Sequence, residues 1–108
     1  MPFFMVQHNI TNPDLYKANV EPMIATLPNM DPVNDDLHKQ NLHQLSIQFV
    51  PSAQGQHVGW CIFESKPGSK WNVDTIKAWQ DKDKEGWAVQ DVYEINKPTG
   101  HTAYYQRQ

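Results

Sequence analysis

Residues 51–56 read PSAQGQ, a run of turn residues between LSIQF at 45–49, which alternates apolar and polar, and the apolar-rich HVGWCIFE at 57–64. This is the pattern of a β-hairpin with a longish loop. It falls near the middle of 108 residues and constrains the fold more than any other feature, because a helix and a strand are predicted on each side of it.

Upstream, FFMVQHNI at 3–10 is aromatic and β-branched and stops before Thr11-Asn12-Pro13. Asn12 can cap the first free amides of a helix, and Pro13 suits the first helical position because it has no N–H to lose. Tyr16, Val20, Met23, Ile24 and Leu27 then fall on one helical stripe. Pro22 lies inside that stripe and predicts a kink or a stop, and Pro28 ends the helix in any case. Asp31-Pro32 can open a short second helix through Leu37 and Leu42, weakened by Asn34, Asp35 and Asp36. Downstream, KPGS at 66–69 is a break. Val73, Ile76 and Trp79 mark a further helix with Gly86 as its stop, and AVQDVYEIN at 88–96 is a last strand.

Strand, helix, strand, strand, helix, strand is the order of an α+β domain of ferredoxin-like βαββαβ plan. Right-handed crossovers then place four antiparallel strands in one sheet with the helices on one face. The domain spans 1–96, and 97–108 is a C-terminal tail.

Composition fits one ordinary globular domain, with 39% hydrophobic and 19% charged residues. No apolar run nears the ~18 residues of a membrane span, so no membrane partner is expected. The opening MPFFMVQHNI has neither a basic start nor a small-residue cleavage site, which leads to the expectation of a cytoplasmic protein. A single cysteine, Cys61, excludes an internal disulfide framework and a Cys-rich zinc site. Net charge is −3 with no long basic cluster, which argues against nucleic acid as the main partner.

Strand side chains alternate between faces, so each strand offers two sets. Phe4, Val6 and Ile10 with His8, Leu45, Ile47 and Phe49, Cys61 and Phe63, and Val89, Tyr93 and Ile95 with Asp91 are assigned to the helix side. The open face then carries Met5, Gln7, Asn9, Gln44, Ser46, Gln48, Trp60, Ile62, Glu64, Gln90, Val92 and Glu94. Such a mixed face lines a ligand pocket, packs on a second subunit, or stays wet with one exposed tryptophan.

Element order, the opening MPFFMVQHNI, and HVGWCIFESKP followed by a short helix and DVYEIN together resemble the dimeric α/β-barrel superfamily over about residues 2–96. That superfamily holds cofactor-free monooxygenases, cyclases, muconolactone-type isomerases, haem-degrading enzymes and stress-response or metal-binding proteins. The resemblance implies a homodimer through the sheet face and a pocket for a small molecule. The segment 29–42 is longer than the family's usual loop and would reshape that pocket.

On this reading the chain is a cofactor-free enzyme acting by proton transfer on a small apolar or aromatic molecule. His8 or His57, near strand ends, is the base. Trp60 stacks the substrate, and Gln7, Asn9, Gln48 and Glu64 position it; Trp60 serves equally well as a dimer anchor. The alternative is a non-enzymatic protein of the same fold that binds a metal or small ligand, and a third class is a plain interaction domain. His38 and His43 are five apart, a spacing that does not share one helix face, so they read as exposed polar residues and no metal site is assigned. No HExxH arrangement and no Gly-rich phosphate loop is present, and no cofactor is expected. Cys61 reads as a buried, inert thiol.

Overall fold

The computed structural model describes residues 2–51, 57–81 and 87–99, without the side chains of 49–51, 57 and 87–90. The expected hairpin turn at 52–56, the charged run and Gly86 at 82–86, and the tail from 100 with Tyr104 and Tyr105 lie outside the described residues.

Strand β1 (Phe3–Ile10) runs into a helical stretch over 13–26, built from α1 (Pro13–Leu15), a π-helical turn (Tyr16–Val20) and α2 (Glu21–Thr26). Asn12 caps it as expected, its Oδ1 accepting the N–H groups of Asp14 and Leu15. Pro22 neither stops nor breaks the helix. The wide turn directly ahead of it, in which the Glu21 N–H donates to the Tyr16 carbonyl, takes up the irregularity that a residue without an N–H imposes. Tyr16 and Val20 are buried, whereas Met23 is 49% exposed.

Helix α3 (Asp31–Leu37) forms despite its weak composition and tightens into a 3-10 turn at His38–Gln40. It does not continue to Leu42. Asn41 takes the left-handed conformation at φ 62°, which reverses the chain, and Leu42 becomes the first residue of β2 (Leu42–Pro51). Strand β3 (His57–Ser65) follows. Helix α4 (Val73–Gln80) opens with a reciprocal cap: Asn72 Oδ1 accepts the Thr75 N–H at 2.9 Å and the Asn72 N–H donates to Thr75 Oγ1 at 2.8 Å. It ends at Gln80, ahead of the charged run, because Asp81 is already extended. Strand β4 (Trp87–Ile95) closes the fold.

The four strands lie in the order β2-β3-β1-β4, every neighbouring pair antiparallel. The helical layer packs on one face. Phe4, Val6, Ile47, Cys61, Phe63 and Val92 from the sheet meet Met30 and Leu37 of the α3 segment and Trp71 and Ile76 at α4 in one core. Trp71 and Trp79 sit 5.2 Å apart, and Trp79 meets Phe63 edge-on. Among the described residues no helix is long and apolar enough to cross a membrane.

Two bulges correct the expected faces. Leu45 is an extra residue between the pairs Gln44↔Phe63 and Ser46↔Ile62, so Gln44 turns into the helix side and Leu45 leaves it. In β4 the assignment is reversed. Val92 stands opposite Val6 and is buried, while Asp91 and Tyr93 stand opposite Gln7 and Met5 on the open face. An edge strand with alternately mixed residues carries too weak an apolar contrast to fix its parity.

Candidate functional site

The open face can be read from the ladder register. Three rows cross β2, β3, β1 and β4: His43–Glu64–Phe3–Ile95, Ser46–Ile62–Met5–Tyr93, and Gln48–Trp60–Gln7–Asp91. The expected substrate-binding residues Gln7, Gln48, Trp60 and Glu64 therefore do share one face, and Asn9 joins them opposite Val58. Trp60, Ile62, Phe3 and Met5 are half-buried by their neighbours, and Tyr93 is 42% exposed, its hydroxyl donating to Asp91 Oδ2 at 3.0 Å. That bond to a carboxylate raises the Tyr93 pKa, with the Asp91 charge adding to it.

His8 is not with them. It stands on the helix side between Val6 and the end of β1, with no exposed surface. Burial pulls its pKa down to about 4, opposed by the nearby Asp81 charge, so the imidazole is neutral and enclosed. A base must reach the proton it takes, and the sheet itself separates His8 from Trp60 and Gln7. The side chain of His57, the other expected base, lies outside the described residues. Cys61 is buried as expected, and burial pushes its thiol far up despite a hydrogen bond with the Gln44 side chain.

The structure brings together a pair that the sequence pattern set aside. His38 Nε2 and His43 Nδ1 are 2.8 Å apart. The ring planes differ by only 19° and the centroids are 5.1 Å apart, the separation two imidazoles reach when their nitrogens meet head to head in almost one plane. One ring donates an N–H to the lone pair of the other. Spacing along a helix was the wrong measure for these two residues, since the helix ends between them. Asn41 turns the chain back, and His38 from the 3-10 turn lies beside His43 from the strand. A left-handed asparagine after a short helix, with histidines on both sides, is the sequence signal that identifies such a pair.

Both imidazoles border a cavity of about 240 Å³, also lined by Asn41, Leu42, Glu64, Ser65 and Lys66. It lies where β2 begins and β3 ends, held by Leu42 paired with Ser65 and by the Lys66 N–H donating to the Asn41 carbonyl. Glu64 is the direct cross-strand neighbour of His43. Ser65 Oγ is buried and has no hydrogen-bond partner among the described residues. The volume is below the ~300–1,000 Å³ of drug-sized ligand pockets, so this corner suits only a small guest. Trp71 Nε1 donates to the Gln40 carbonyl at 2.6 Å and thereby ties the 3-10 turn that carries His38 to the α4 segment.

In comparisons with known proteins the chain matches no family, no curated protein and no solved structure.

Proposed function

We propose that this chain is a ferredoxin-like domain that pairs with a second copy through its open sheet face. The two sheets then close into an α/β barrel holding a small apolar or aromatic molecule. The strand order β2-β3-β1-β4, antiparallel throughout with the helical layer on one face, supports the plan. The observation that carries the function is the contiguous apolar patch Ile62–Met5–Tyr93 with Phe3 and Trp60 beside it, on a face that no described helix covers. Exposed apolar surface of that kind is stabilised by burial against a partner or ligand. Gln7 and Gln48 flank Trp60 in its row and supply neutral donors and acceptors that orient a bound molecule without burying a charge.

The role proposed is binding of that molecule; of the two bases that cofactor-free catalysis of the cyclase, isomerase or monooxygenase type would call on, His8 lies on the other side of the sheet.

Sedimentation of the untagged protein tests the reading. A dimer of twice 12.5 kDa is expected, with Ile62→Lys sedimenting as a monomer whose circular dichroism is unchanged. A monomeric parent protein at concentrations well above micromolar overturns the barrel and the ligand site between its two sheets.

A further inference from the structure

We propose that His38 and His43 form a binding site for a divalent late transition-metal cation, open on its remaining sides to the cavity at the start of β2. The site needs residues of one chain only and lies at the corner of the open face, where His43 and Glu64 form the end of one row.

Two imidazole nitrogens held 2.8 Å apart are the main observation. A hydrogen-bonded separation of 2.8 Å places the two nitrogens near enough for one cation, with metal–nitrogen bonds of about 2.05 Å, to reach both once the rings turn. Imidazole affinity rises from Ni²⁺ to Cu²⁺ and falls again at Zn²⁺, so Cu²⁺ is expected to bind most tightly.

Binding asks the rings to turn but not the backbone to move. The proton now shared head to head passes to the far nitrogen of the ring that carries it, and both rings turn about their Cα–Cβ and Cβ–Cγ bonds until the two lone pairs converge. His38 is exposed on its turn and His43 only half-buried, so both rings have room. The backbone beneath them is fixed by Asn41, by the Trp71–Gln40 bond and by the Lys66–Asn41 bond, so the cation meets two ligands already close together.

Among the described residues no three His, Cys, Asp or Glu side chains surround one point. The cation consequently keeps water on its remaining positions. Those positions face the cavity, where Glu64, opposite His43, is placed to accept a hydrogen bond from a bound water, and the buried Ser65 Oγ borders the same space. Lys66 also lines the cavity and offsets part of the attraction, which argues for a moderate affinity.

Calorimetric titration of untagged protein with Cu²⁺ and with Ni²⁺ in a non-chelating buffer tests the site. One equivalent is expected to bind in the micromolar range, with Zn²⁺ weaker than Cu²⁺. His38→Gln and His43→Gln should each weaken Ni²⁺ binding by tenfold or more, while a His101→Gln control leaves it unchanged. The Cu²⁺ electron paramagnetic resonance spectrum should carry coupling to two imidazole nitrogens, reduced to one in either single variant. His38→Gln is at an exposed position, so a loss there cannot be attributed to unfolding. Absence of binding, or binding that survives both substitutions, overturns the proposal.

Discussion

Asn34 pairs with the backbone of Gln44 as a neighbouring strand would: its Nδ2 donates to the Gln44 carbonyl at 3.0 Å, and the Gln44 N–H donates to its Oδ1 at 2.6 Å. Both residues are buried. The contact falls beside the Leu45 bulge, where the backbone of the sheet's edge strand has no ladder partner on its outer side. One side chain of α3 thus satisfies two groups that burial would otherwise leave without partners.

Replacing that amide exposes the dependence. Asn34→Ala leaves the Gln44 N–H and carbonyl unpaired and is expected to cost about 2–4 kcal/mol, and Asn34→Asp at least as much, since a carboxylate cannot donate to the carbonyl. Urea denaturation followed by circular dichroism reads the change. A loss below ~1 kcal/mol in both variants would mean that water replaces the amide.

Stability should fall in acid because of His8. Its folded pKa of about 4 lies below the ordinary 6.5, so between these values the unfolded chain binds a proton that the folded chain refuses. The contribution is fully present above pH 6.5, is lost as the pH drops toward 4, and levels off below that; the gap is worth about 3 kcal/mol. His8→Leu should remove that part of the slope from the unfolding free energy. Parallel pH profiles for the two proteins would count against a neutral, enclosed imidazole.

Asn41 carries the reversal between α3 and β2 at a positive φ of 62°. Asn41→Gly is expected to be tolerated, while Asn41→Ala should cost roughly 1–2 kcal/mol, because a Cβ opposes this conformation and alanine lacks the polar side chain that eases it. Denaturant midpoints of the three proteins decide the matter, and equal midpoints for alanine and glycine would sink it.

Trp71→Phe should lower stability by about 2 kcal/mol, from the lost bond to the Gln40 carbonyl and the smaller ring. The same change frees the turn that carries His38, so Ni²⁺ affinity should drop several-fold although no ligand is altered. An unchanged affinity would show that Asn41 alone positions the pair.

Much of the architecture was legible locally. Asn12 and Pro13 announced a helix start that the structure keeps, and the alternation through Phe4, Val6 and Cys61, Phe63 pointed these side chains into the core. Those signals survive because capping and strand alternation act within a few residues. The candidate site was much less so. Gln7, Gln48, Trp60 and Glu64 were placed on one face by parity alone, but the helix-spacing rule dismissed His38 and His43, and nearness to a strand end made His8 look accessible.

By itself, then, the sequence determined the order of strands and helices and the cap that opens the first helix. The tertiary structure decided which side chains meet. Bulges at Leu45 and in β4 move whole sets of residues from one face to the other, and one left-handed asparagine brings two imidazoles into contact. Both depend on how strands find their register and how a helix end docks on a sheet. That register is chosen by the summed burial of partners far apart in the chain, which no local pattern contains.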